Sequence, residues 1–137
     1  MTVPEHLWRF PTRQAIDTLA RRFDLPDGPE MQDWEWEVAD PDRIDEFLAA
    51  YESGELSDDE RFSLMEILLQ SFEDVPSPLA GNRAWARVLG HLERSIGLHA
   101  HSVWYWSDLE SKGLDNSWRV TPFLREILER HPETFAP

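Results

Sequence analysis

Carboxylates are the side chains in this 137-residue chain with the most chemistry to offer, and they are concentrated. Between Asp24 and Glu60 lie fifteen acidic residues and a single basic one, Arg43, which accounts for the whole formal net charge of −14. The remaining residues hold twelve acidic and twelve basic side chains. Carboxylates at this density can bind a hard cation, act in pairs in hydrolysis, or present a negative face to a cationic partner. Asp40, Asp42, Asp45 and Glu46 are the candidates for a cation. A hard cation needs six or more oxygens, however, and acids at the start of a helix are already favoured by the helix dipole. No feature raises one carboxylate pair above another as a hydrolytic pair. The third reading is strengthened by the aromatic residues interleaved with the acids, in Trp34-Glu35-Trp36-Glu37 and Tyr51-Glu52. Charge steers the encounter and aromatic anchors supply affinity. The expected contact set is Trp34, Glu35, Trp36, Glu37, Asp40, Asp42, Asp45, Glu46 and Glu52.

A second cluster has different chemistry. Trp85, His99, His101, Trp104, Tyr105 and Trp106 could line an aromatic pocket for a small ligand or a reaction. On a helix, His99 and His101 point about 200° apart, which is wrong for one metal; on an extended segment they share a face. Capping or packing is the preferred role for both. His91 is the remaining candidate ligand nearby. There is no phosphate-cradling glycine loop, no HExxH, no calcium loop and no G-x-S-x-G elbow. The sequence therefore points away from an enzyme and assigns no catalytic residue, cofactor or metal.

The elements that must position these residues read as helices. Thr12 is an N-cap followed by Ala15, Ile16, Leu19, Ala20 and Phe23 at helical spacing. That helix should end near Asp24, ahead of Leu25-Pro26-Asp27-Gly28-Pro29. Residues 30–39 alternate aromatic and acid with a period of two, as in a strand, yet no second strand is there to pair with them, and a short helix is preferred. Asp40-Pro41 starts the next helix, with Ile44, Phe47, Leu48 and Tyr51 as its stripe and Gly54 as its stop. Ser57-Asp58-Asp59-Glu60 is a capping box, opening a helix with Phe62, Met65, Leu68, Leu69 and Phe72. Residues 81–96 form another, closed by Gly97. His99–Leu109 reads as either a buried helix or a strand. Thr121-Pro122 repeats the N-cap and proline device before Phe123, Leu124, Ile127 and Leu128, and Pro132 stops that last helix. The sum is an all-α, single-domain bundle of six or seven helices over residues 1–137, with one short irregular or strand-like segment allowed. Residues 1–11 form an N-terminal arm.

Cysteine is absent, which excludes disulfides and thiolate chemistry. The N-terminus MTVPEHLWRF lacks the basic and apolar regions of a signal peptide, and no apolar run reaches 18 residues. A cytoplasmic protein is expected. An acidic surface repels nucleic acid and anionic membranes, so neither is an expected partner.

Two stretches resemble parts of small bacterial proteins. One is Gln32-Asp33-Trp34-Glu35-Trp36 leading to Asp40-Pro41-Asp42-Arg43-Ile44. The other is Tyr105-Trp106-Ser107 with Trp118-Arg119-Val120-Thr121-Pro122 and Arg125. In both, the chain is similar to immunity proteins, which neutralise secreted bacterial toxins. The resemblance implies a toxin-like basic protein as partner, in agreement with the charge. The expectation is an acidic protein-binding module, an immunity-type inhibitor acting through Asp24–Glu60. The alternatives are a ligand-binding or enzymatic domain built on the His99–Trp106 pocket, and a homodimer with the aromatics buried between subunits.

Overall fold

The computed structural model describes residues 3–111 and 117–137. Every regular element among them is helical. Eight α-helices run in chain order: α1 (Arg13–Phe23), α2 (Trp34–Val38), α3 (Ile44–Glu52), α4 (Asp58–Glu73), α5 (Arg83–Arg94), α6 (Ile96–Trp106), α7 (Thr121–Arg130) and α8 (Pro132–Phe135). Short 3-10 turns occupy Glu5–Leu7 and Pro41–Arg43. The expectation of an all-α chain holds. Residues 30–39 contain a short helix, and the His99 segment is helical through Trp106. The helix beyond the expected six or seven is α8.

The chain groups into two compact units, Phe10–Pro76 and Met1–Arg9 with Ser77–Pro137. In Phe10–Pro76, helix α4 is the hub and packs against α1, α2 and α3. Its sequence explains this. Phe62, Leu64, Met65, Ile67, Leu68, Leu69 and Phe72 surround the helix rather than forming one stripe, and all are buried. A helix apolar on most sides must be enclosed by others. The helix ends follow local chemistry. Thr12 accepts from the Ala15 amide to start α1, and Asp24 ends that helix in the left-handed conformation with its amide on the Ala20 carbonyl. Ser57 and Glu60 make the reciprocal capping box that opens α4. Gly54, at φ 77°, takes the left-handed position after α3, where a side chain would be strained.

In the other unit, α6 packs against α5, α7 and α8. Residues 3–9 of the arm belong here. Leu7 is buried, Trp8 donates its indole N–H to the Val3 carbonyl at 2.7 Å, and His6 Nε2 donates to the Phe135 carbonyl at 3.3 Å. Three expectations are corrected in this unit. Gly97 does not close a helix; the break falls at Ser95, and Gly97 lies in the first turn of α6. Thr121 does not cap α7, because its hydroxyl donates instead to the Trp106 carbonyl at 2.9 Å, and Val120 is the N-cap. Pro132 ends α7 but also begins α8, as its fixed φ and missing N–H suit a helix start.

Candidate functional site

The charge segregates with the fold. Phe10–Pro76 contains nineteen acidic and five basic residues, whereas Met1–Arg9 with Ser77–Pro137 contains eight of each. The net charge of −14 thus belongs wholly to the unit built on α4.

Within that unit the acids divide into paired and unpaired groups. Arg43 grips Glu46 through Nε at 2.9 Å and Nη2 at 2.8 Å. Arg22 of α1 reaches Glu55 at 2.8 Å, Arg61 of α4 reaches Asp58 at 2.6 Å, and Arg13 reaches Asp27 at 3.4 Å. Hydrogen bonds from Arg43 and Arg22 hold the Glu46 and Glu55 carboxyls below the usual carboxylate range. The compensation that is nearly absent from the sequence between Asp24 and Glu60 is therefore partly supplied by arginines flanking it. Asp33, Glu37, Asp42 and Asp45 are exposed and make no ion pair among the described residues. They occupy the N-cap position of α2, α2 itself, the Pro41–Arg43 turn and the first turn of α3.

The two tryptophans of α2 part company. Trp36 is 64% exposed, and no hydrogen bond or ring contact engages it among the described residues. Trp34 is only 3% exposed and donates its indole N–H to the Pro26 carbonyl at 2.7 Å. Its expected role as a surface anchor is corrected, since Trp34 and Val38, four residues apart, form the buried face of α2. Glu35 is also withdrawn. It is half-buried, its Oε1 is enclosed without a hydrogen-bond partner, and burial raises its pKa above the ordinary value. Asp40 is half-buried, and its side chain accepts from the Asp42 amide at 2.9 Å. Tyr51 is buried, while Glu52 is exposed on α3. Of the expected contact set, Trp36, Glu37, Asp42, Asp45, Glu46 and Glu52 are exposed, Glu46 in its pair with Arg43, and so is Asp33, which lies outside that set.

A buried serine fixes this edge. Ser71 of α4 donates its hydroxyl to the Ile67 carbonyl at 2.7 Å and accepts the Asp40 amide at 3.0 Å. The link between α2 and α3 is thereby pinned to the hub helix.

The aromatic members of the second cluster are engaged in packing. Trp85 is 1% exposed and meets Phe123 edge-on at 5.6 Å; Trp104 faces Phe135 at 6.3 Å; Tyr105 and Trp106 pack on Trp118 at 5.2 and 4.7 Å. His99 is fully buried. His101 accepts the Arg9 amide on Nδ1 at 3.1 Å, and burial lowers its pKa, both of which favour the neutral ring. The four aromatic members of the set thus pack on Phe123, Phe135 and Trp118. Arg125 secures the end of α6, donating Nε to the Ser107 carbonyl and Nη2 to the Asp108 carbonyl, each at 2.6 Å. No group of three or more His, Asp or Glu able to hold a metal occurs among the described residues. No helix among them is long and apolar enough to cross a membrane.

Comparison with protein-family models, with curated proteins and with solved structures finds no match for this chain.

Proposed function

We propose that the chain is an acidic protein-binding module that captures a basic protein, acting as an immunity-type inhibitor in the bacterial cytoplasm. One observation carries this reading: the net charge of −14 resides in a single structural unit, with an exposed tryptophan among its unpaired acids. A toxin that handles nucleic acid must offer a cationic surface, and carboxylates presented to that surface would occupy the place of phosphates. Long-range attraction speeds the encounter, and a central aromatic residue slows escape.

The test is neutralisation. The product of a neighbouring reading frame is expressed alone and together with this chain, and growth is followed. Rescue by the wild type, lost when Trp36→Ala is combined with Asp33→Asn, Glu37→Gln, Asp42→Asn and Asp45→Asn, is the expected result. Association measured with the purified pair should slow steeply with added salt. Rescue by the multiple variant equal to that by the wild type, or a salt-independent association rate, overturns the reading.

A further inference from the structure

The acidic unit repeats one side-chain arrangement within itself. Arg43 lies 5.9 Å from the Phe23 ring and 5.4 Å from the Phe47 ring while it holds Glu46 with two hydrogen bonds. Arg61 lies 5.8 Å from the Tyr51 ring while it holds Asp58 at 2.6 Å. In each case a guanidinium has an aromatic face on one side and a carboxylate three residues away in sequence. The combination is physically apt. The planar guanidinium is weakly hydrated, so it stacks on a ring and still directs its N–H groups at an acid.

Trp36 offers an aromatic face next to unpaired acids in the sequence, with no guanidinium on it among the described residues. Its indole is the aromatic face best suited to a cation, and it is 64% exposed. Asp33, three residues before it, makes no capping bond with its side chain, and Glu37 adjoins it. Neither acid has an ion pair among the described residues. The five basic residues of the unit are Arg13, Arg21, Arg22, Arg43 and Arg61; four of them pair elsewhere with acids, and no cation–π contact joins Arg21 to Trp36 among the described residues.

We infer that Trp36 with Asp33 and Glu37 receives an arginine side chain of the partner protein, stacked on the indole and paired with a carboxylate. This rests on the proposed capture of a basic protein and goes further, since it selects arginine over lysine and names the residue on which it docks. An ammonium group can pair with the acids but lacks the plane to stack.

The probes are nona-arginine and nona-lysine peptides, equal in charge, each titrated at low ionic strength into the full chain and into Trp36→Ala and Trp36→Tyr. The wild type should favour the arginine peptide, and Trp36→Ala should reduce that preference about two- to fivefold. Trp36→Tyr should restore part of it. Thermal melting checks that the variants remain folded, which an exposed position favours. An arginine preference unchanged in Trp36→Ala overturns the inference. If binding of both peptides then still weakens on replacing Asp33, Glu37, Asp42 and Asp45 by their amides, the broader reading survives alone. If neither peptide binds the wild type, both fall.

Discussion

Trp34 and Trp36 stand on opposite sides of the five-residue helix α2, the first 3% exposed and the second 64%. Two positions turn a helix by about 200°, so one indole enters the core while the other meets solvent. Substitutions should separate them cleanly. Trp34→Ala should lose about 3–5 kcal/mol of stability, together with the hydrogen bond to the Pro26 carbonyl. Trp36→Ala should lie within about 0.5 kcal/mol of the wild type. Chemical denaturation of both variants measures this; equal losses would contradict the placement.

Ser71 should matter more than its size implies. Ser71→Ala removes the acceptor of the Asp40 amide. Leaving a fully buried N–H unpaired costs about 1–3 kcal/mol, and this half-buried amide should fall at the low end of that range. Hydrogen exchange at Asp40 should accelerate beyond the global change. Unaltered exchange there would show that the serine does not hold the α2–α3 link.

Arg125 tests the geometry of the other unit. Its guanidinium serves the Ser107 and Asp108 carbonyls from two different nitrogens, a fork that lysine does not possess. Arg125→Lys should therefore destabilise nearly as much as Arg125→Ala, by about 1–3 kcal/mol. Full stability in the lysine variant would mean that charge alone suffices.

The structure divides what the sequence could and could not convey along lines of distance. Ser57 and Glu60 are three residues apart, so the start of α4 was legible; Asp40 caps the amide two residues on, but only in the Pro41–Arg43 turn, and α3 itself begins later, at Ile44 behind Arg43. The Thr121 hydroxyl goes instead to the carbonyl of Trp106, fifteen residues back, and no local pattern announces that competition. Arg22 and Glu55 are 33 residues apart, so the sequence overstates how bare the acidic segment is. Trp34 and Trp36 misled through their alternation with acids. The informative spacing was Trp34 to Val38, one helical step of four residues, and it needed the five-residue helix to be recognised first. The aromatic run at Trp104–Trp106 reads equally as pocket or packing until its partners, Phe135 and Trp118, are seen.

Glu35 should leave a mark on the pH dependence of stability. Burial raises its pKa from 4.5, against the pull of a backbone hydrogen bond and with a smaller push from Asp33. The folded state then holds the proton more tightly than the unfolded chain. Its favourable contribution is complete below about pH 4.5 and is lost as pH rises through the folded pKa. Glu35→Gln should melt above the wild type at pH 7, with the difference shrinking at pH 4. A difference independent of pH would place the effect elsewhere.

Confining the net charge to Phe10–Pro76 also means that this unit folds against its own electrostatic pressure. Screening ions relieve that pressure and weaken the pull on a cationic partner at the same time. Added salt should therefore raise the melting temperature of the free protein while loosening its complex. The partner would act as a concentrated counterion, discharging a strain that the free protein carries alone.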